Sequence, residues 1–116
     1  MNWWRVAGAV GALGVALGAF GAHGLEDMVP PEHIERWWNT GARYHLVHTA
    51  ALVGVAAHPA RPKIAGWAFL IGVLLFSGSL YLMTLTGITK LGMITPLGGL
   101  VFIVGWVMLA LARTDG

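Results

Sequence analysis

The sequence predicts an all-α integral membrane protein, a four-helix bundle with an interfacial amphipathic segment between helices 1 and 2. Two observations carry this prediction. The 116 residues are 57% hydrophobic and only 10% charged, whereas a soluble domain carries roughly a quarter charged residues to wet its surface. Four long apolar stretches alternate with short loops. The mean hydropathy of +0.72 excludes both a free soluble enzyme and a disordered tail.

The predicted spans form one transmembrane domain, 1–116, and cover residues 3–22, 38–57, 64–86 and 91–112. A helix needs about 20 mostly apolar residues to cross roughly 30 Å of hydrocarbon. The first, third and fourth stretches meet this length with Arg5 as their only charge. The second has an uncharged core, 44–57, that rises only about 21 Å. Extending it back to Trp37 and Trp38 restores the length and places both indoles in an aromatic belt.

The segment before the second span has the features of a helix that lies in the membrane interface. Pro30 and Pro31 precede Glu32, a pattern typical of a helix start. Apolar and charged side chains then alternate as in interfacial helices, with Ile34, Trp37 and Trp38 against Glu32, Glu35 and Arg36. We therefore expect residues 31–39 to lie at the bilayer surface.

The glycines of the first helix fall three or four residues apart, at Gly11, Gly14, Gly18 and Gly21. Helix association in lipid relies on close backbone approach, which glycine and alanine permit. Two interpretations stay open: homo-oligomerisation through this helix, or a central position within its own bundle. The alanines on its other sides favour the central position.

A proline lies about one turn into the predicted fourth helix, in the pair Thr95-Pro96. It would leave the Gly92 carbonyl without its helical donor and kink the helix. Such a break is either a packing adjustment near a helix end or, as in some transporters, part of a ligand site.

The basic residues predict the orientation. With four spans, Arg5, Arg61, Lys63 and Arg113 share the side of both termini, and the opposite side holds three basic and four acidic residues. The positive-inside rule then places both termini in the cytoplasm of a multi-pass plasma (bacterial inner) membrane protein. The chain lacks cysteine, which excludes disulfides and thiolate metal sites.

Polar side chains at membrane depth are the candidate ligand-binding residues, and they gather in the outer half of the predicted bundle. They are His23, Arg43, Tyr44, His45, His48, Ser77, Ser79, Tyr81 and Thr95. No Asp or Glu falls inside a span, although proton-coupled pumps generally need a buried carboxylate. Arg43 is costly at this depth unless it is paired, so we expect it to meet an anionic headgroup or one of four acids, Glu26, Asp27, Glu32 or Glu35.

His48 is the most informative of these residues, because it lies near mid-membrane with His45 three residues away. Together with His23 these histidines provide three imidazoles, a set that can bind zinc, copper or haem iron. The alternative is that each histidine hydrogen-bonds a buried partner and fixes the bundle. For His48 the expected partners are on the third helix, at Ser77, Ser79 and Tyr81, since an unpaired buried group costs about 1–3 kcal/mol.

The sequence shows no Ser-His-Asp spacing, phosphate loop or paired carboxylates. We therefore predict a non-enzymatic membrane protein without a cofactor, whose outer-half polar pocket binds a small ligand or lipid. One alternative is a small-solute or proton transporter or channel that works as an oligomer. Another is a His-ligated metal or haem protein. The expected partners are the lipid bilayer and a second copy of the chain, and the net charge of +2 is too small for nucleic-acid binding.

Four motifs give the chain a family resemblance: GAFGAHGL (18–25), WWNTGARYHLVHTAAL (37–52), SGSLY (77–81) and LGMITPLGG (91–99). In this order and spacing they resemble the YgdD-like family of small membrane proteins, a domain of unknown function of the DUF423 type. The resemblance implies a four-span fold and a plasma-membrane location, and it implies no activity. Arg43 stands where the family is expected to have a small or polar residue, so the resemblance assigns it no role.

Overall fold

The computed structural model describes residues 1–113, and its architecture is four long antiparallel helices. Helix α1 is Trp3–His23, and α2 covers residues 31–57 as Pro31–His33, a π-helical turn Ile34–Trp38, and Asn39–Ala57. Helix α3 runs over Lys63–Thr86 with a π-helical turn at Val73–Ser77, and α4 is Thr95–Leu111. Short 3-10 turns at Leu25–Asp27 and Thr89–Met93 join the longer elements. The predicted all-α four-helix fold is confirmed.

Three helical segments are long and apolar enough to cross a membrane: Trp3–His23, Lys63–Thr86 and Thr89–Leu111. Helix α2 differs because it carries Arg36 and Arg43 in its first half. Its second half lies alongside both α1 and α3. That α2 also crosses the bilayer stays a prediction, supported by this position beside two apolar helices.

Residues 31–39 form the first turns of α2 and continue without a break into Asn39–Ala57. That they lie at the bilayer surface stays a prediction. Trp38 is 1% exposed and lies between α1 and α3, so its predicted place in an aromatic belt is wrong. The physical reason is Gly21 on α1, where any Cβ would meet the Trp38 indole. The missing side chain leaves a hole into which the ring fits.

Helix α4 begins at Thr95, so Pro96 lies in its first turn. An N–H at this position has no helical acceptor in any case, and proline is therefore well tolerated there. The predicted kink within the helix is wrong. The residues before it, which we predicted to begin the fourth helix at 91, belong instead to the 3-10 turn Thr89–Met93.

Helix α1 lies at the periphery of the bundle, so the predicted central position is wrong. Only 17% of the residues in its apolar 18-residue stretch are buried, compared with 56% in the corresponding stretch of α3. Gly14 and Gly21 face α2, whereas a Cβ at Gly18 would have no described neighbour within 4 Å. Alanine marks faces that permit close approach, but it does not show which of those faces has a partner.

Two buried clusters occupy the two ends of the bundle. The terminal end, defined by the N-terminus, residues 58–62 and Arg113, has a core built on Trp3, Leu52, Val55 and Phe69. The loop end, defined by residues 24–30 and 87–94, has a core built on Leu25, Ile34, Trp38 and Tyr81. Polar side chains link the helices between the two clusters.

Candidate functional site: a hydrogen-bond network beside an aromatic groove

His45 links three helices from the middle of α2. Its Nε2–H donates to the Val10 carbonyl on α1 at 2.8 Å, and its Nδ1 accepts from the Tyr81 hydroxyl on α3 at 2.9 Å. A carbonyl only accepts, so the proton must be on Nε2. The ring is 2% exposed, and Gly14 gives it room, since a Cβ there would be 3.0 Å from His45 Cδ2.

His48 links α2 to the fourth helix. Its Nδ1–H donates to the Tyr44 carbonyl at 2.7 Å, and its Nε2 accepts from the Trp106 indole N–H at 3.0 Å. The ring stacks on Phe102 with a centroid separation of 3.6 Å. The indole nitrogen only donates, so His48 Nε2 carries no proton and the imidazole is neutral. The expected partners on the third helix are wrong, because the ring projects toward α4.

The small polar residues complete the network between the helices. The Ser77 hydroxyl donates to the Gly41 carbonyl at 2.7 Å and so joins α3 to α2. The Ser79 hydroxyl donates to the Phe76 carbonyl at 2.8 Å and accepts from the Thr95 hydroxyl at 2.6 Å, which joins α3 to α4. Each of these candidate residues therefore already has a protein partner.

Trp38 and Trp106 also belong to this network, although the sequence did not indicate either indole as a network member. The Trp38 indole donates to the Leu17 carbonyl on α1 at 2.8 Å. The sequence signal that could have indicated Trp38 is Gly21 on the facing helix α1. Gly21 comes four residues after Leu17, and a glycine there leaves the Leu17 carbonyl accessible to a donor. We find no comparable signal for Trp106.

A groove of about 760 Å³ lies beside this network on the exposed surface of α2, α3 and α4. Aromatic rings form much of its wall, and Trp106 and Tyr44 are 44% and 41% exposed. The Tyr44 hydroxyl makes no hydrogen bond to any residue in 1–113. The lining residues are Tyr44, Val47, His48, Phe76, Pro96, Gly99, Leu100, Phe102, Ile103 and Trp106.

Comparison with known proteins identifies the family. The family model described as "Protein of unknown function (DUF423)" matches residues 17–99. The chain belongs to the DUF423 family. It is 45% identical to the UPF0382 membrane protein YwdK of Bacillus subtilis, over 97% of this chain and 96% of the relative. A UPF0382 membrane protein of Staphylococcus aureus is 41% identical over 97% and 95%, and one of Schizosaccharomyces pombe is 37% identical over 91% and 96%.

No solved structure matches this DUF423 chain. The family match confirms the resemblance seen in the motifs and shows that the chain is a membrane protein of an uncharacterised family. It supplies no activity. The matched range contains most of the hydrogen-bond network, and Val10 and Trp106 lie outside it.

Two predicted site residues of the DUF423 chain lie outside both the network and the groove. His23 ends α1 and is exposed, and Arg43 is exposed without an ion pair to any residue in the described range. The predicted pairing of Arg43 with the acids of the first loop is therefore not present. Residues 1–113 also contain no group of three His, Asp or Glu side chains that could hold a metal, so His23, His45 and His48 do not form a shared ligand set.

Proposed function

We propose that this DUF423 protein is a non-enzymatic membrane protein that binds a lipid-soluble ligand in the aromatic groove. The observation that carries the proposal is the groove itself. Its volume of about 760 Å³ is within the range of about 300–1,000 Å³ typical of small-molecule sites. Aromatic walls with a single free polar group are also typical of such sites.

The lining residues define the chemistry of the ligand. Leu100 and Ile103 are 60% and 59% exposed beside the groove, so a ligand would enter from the hydrocarbon and not from water. The Tyr44 hydroxyl offers one hydrogen bond. Exposed faces of Tyr44 and Trp106 suit stacking against a planar group. We infer a hydrocarbon-rich molecule that carries one polar group, with a ring as the preferred form.

The state of the histidines supports a binding role over a catalytic one. Both ring nitrogens of His45 and both of His48 are hydrogen-bonded within the protein. A proton transfer at His45 would disturb a contact that joins two helices, and Nε2 of His48 is occupied by the Trp106 indole of α4. His48 therefore serves to fix the wall of the groove and His45 to join α1, α2 and α3, and the reactive groups for an enzyme would have to come from elsewhere.

The test fills the groove at one glycine. A Cβ at Gly99 would lie 3.9 Å from the Phe76 ring, so Gly99→Leu fits the helix but occupies the groove. Gly54→Leu is the matched control, because Gly54 is exposed on α2 outside the groove with no described neighbour within 4 Å. Native mass spectrometry in mild detergent should show a retained lipid-soluble species on the unaltered chain and on Gly54→Leu.

The species should be absent from Gly99→Leu. Tyr44→Phe should retain it about fivefold less, since one neutral hydrogen bond contributes about 1 kcal/mol. Equal retention by Gly99→Leu, or an unaltered chain with nothing bound, would overturn the proposal. Measuring the flux of small solutes or protons into proteoliposomes distinguishes a transporter from a binding protein, because a protein that only binds its ligand should give no flux.

We also propose self-association through the outer face of α1. This face is exposed and small, with a Gly8–Ala12–Ala16 series at four-residue spacing that permits close backbone approach. Gly8→Leu should convert dimers to monomers in native mass spectra, whereas Gly54→Leu should not. A monomeric unaltered chain in bilayer nanodiscs would contradict this proposal.

A further inference from the structure

Charge is distributed unequally between the ends of the bundle. In residues 1–113 every acid, Glu26, Asp27, Glu32 and Glu35, lies toward the loop end. The terminal end carries the N-terminal amine and the cations Arg5, Arg61, Lys63 and Arg113. This end therefore attracts anions.

A cleft of about 520 Å³ lies at the terminal end between the start of α3 and the end of α4. Its rim is cationic, with Arg61 and Lys63, and neither residue makes an ion pair to another part of the described chain. Its wall is apolar, formed by Ile64, Met108, Leu111 and Ala112. The rim and wall together match a molecule with an anionic head and a hydrocarbon tail.

The position of Arg61 is fixed by its turn. Its backbone is left-handed at φ 46°, a conformation that is unfavourable for a long side chain. The Arg61 N–H donates to the His58 carbonyl at 3.0 Å, and the Ala60 N–H donates to His58 Nδ1 at 3.0 Å. Pro62 follows and restricts the chain further. The turn thus holds Arg61 at the mouth of the cleft, where it also borders a second cavity of about 330 Å³.

Exposed indoles give the depth of the cleft in the bilayer. Trp4 and Trp67 are 56% and 44% exposed at the terminal end, and Trp67 lies one turn after Lys63. Indoles favour the membrane–water interface. With these indoles in the interface, the cationic rim would be level with lipid phosphates, and the apolar wall would extend into the hydrocarbon below.

We propose that this cleft binds one anionic phospholipid, with its phosphate between Arg61 and Lys63 and one acyl chain along Ile64, Met108 and Leu111. The site is separate from the aromatic groove, so either assignment can fail without the other. Positive charge close to a bilayer attracts anionic lipids, and the apolar wall gives this attraction a fixed position.

The full chain in detergent is titrated with phosphatidylglycerol, with phosphatidylcholine of the same acyl chains, and with inorganic phosphate. Native mass spectrometry counts the bound lipid. We expect phosphatidylglycerol to bind about tenfold more tightly than phosphatidylcholine. The double variant Arg61→Gln with Lys63→Gln should lose this preference. Arg5→Gln is the matched control, since Arg5 is a cation of the same end that does not line the cleft.

Arg61→Lys keeps the charge and should keep most of the preference. Circular dichroism and gel filtration verify that each variant is folded. Equal binding of the two lipids would overturn the proposal. If Arg5→Gln lost the preference for phosphatidylglycerol as fully as the double variant, the general positive charge of this end would explain the binding, and the proposal would also be overturned. Inorganic phosphate that competes as well as phosphatidylglycerol would show a phosphate site without lipid recognition and would also refute it.

Discussion

Two backbone carbonyls of α1 each accept a hydrogen bond from a ring on α2, and in both cases a glycine follows four residues later. Val10 precedes Gly14, and Leu17 precedes Gly21. Side chains four apart lie on the same face of a helix and tilt toward its N-terminus. A Cβ at Gly21 would be 2.5 Å from the Trp38 Nε1 atom that donates to Leu17. Each glycine therefore keeps a carbonyl accessible to a donor from the neighbouring helix.

This arrangement predicts opposite results for two glycines of one helix. Gly21→Ala should lower the free energy of unfolding by about 1–3 kcal/mol, because the added methyl displaces the Trp38 ring and its hydrogen bond. Gly18→Ala should be neutral or slightly stabilising, since its Cβ meets no described atom within 4 Å. Denaturant titration in detergent measures both. Equal destabilisation would show that the close approach of Trp38 to α1 is unimportant.

The site residues could be predicted by type, and their partners could not. Burial at membrane depth requires a partner for His48, and this expectation is met. The identity of that partner depends on the rotation of α2 about its axis, which the apolar sequence hardly constrains, because lipid and protein interior favour similar residues. The sequence therefore indicated His48 correctly and missed Trp106.

Both central helices contain a π-helical turn, Ile34–Trp38 in α2 and Val73–Ser77 in α3. A π turn holds an extra residue, so the face that a helix presents changes beyond it. The turn in α3 ends at Ser77 and comes just before Ser79 and Tyr81. All three side chains hydrogen-bond to residues of neighbouring helices. A uniform period of 3.6 residues cannot predict such a change.

At the start of α4, the structure predicts that proline is dispensable and glycine is not. Pro96→Ala should change stability by less than about 0.5 kcal/mol, because no helical hydrogen bond is gained or lost in the first turn. Gly98→Ala should be clearly destabilising, since a Cβ there would be 2.8 Å from Phe76 Cα. Gly99→Ala is the neighbouring control with its nearest contact at 3.9 Å. A large loss in Pro96→Ala would restore the kinked-helix interpretation.

On the scale of the whole molecule, the thickness of the bilayer explains why the number and order of the helices could be predicted from the sequence. Hydrocarbon thickness sets helix length, so four apolar stretches of about 20 residues were sufficient to predict four helices and their order. Composition does not show which helix is central. The alanines of α1 favour a central position on sequence grounds, yet most of this helix is exposed. Small side chains permit contact on any face, and only the tertiary arrangement decides which faces are covered.

The orientation of the molecule gives the last prediction. The terminal end carries basic residues without acids in residues 1–113, and the positive-inside rule predicts that this end lies in the cytoplasm. The chain has no cysteine, so one introduced cysteine is a unique reporter. In intact bacterial cells a membrane-impermeant maleimide should label Met28→Cys at the loop end and leave Ala60→Cys at the terminal end unlabelled. Both positions are exposed, so both should react after lysis. Labelling of Ala60→Cys alone in intact cells would reverse the orientation and would place the cationic cleft in the outer leaflet.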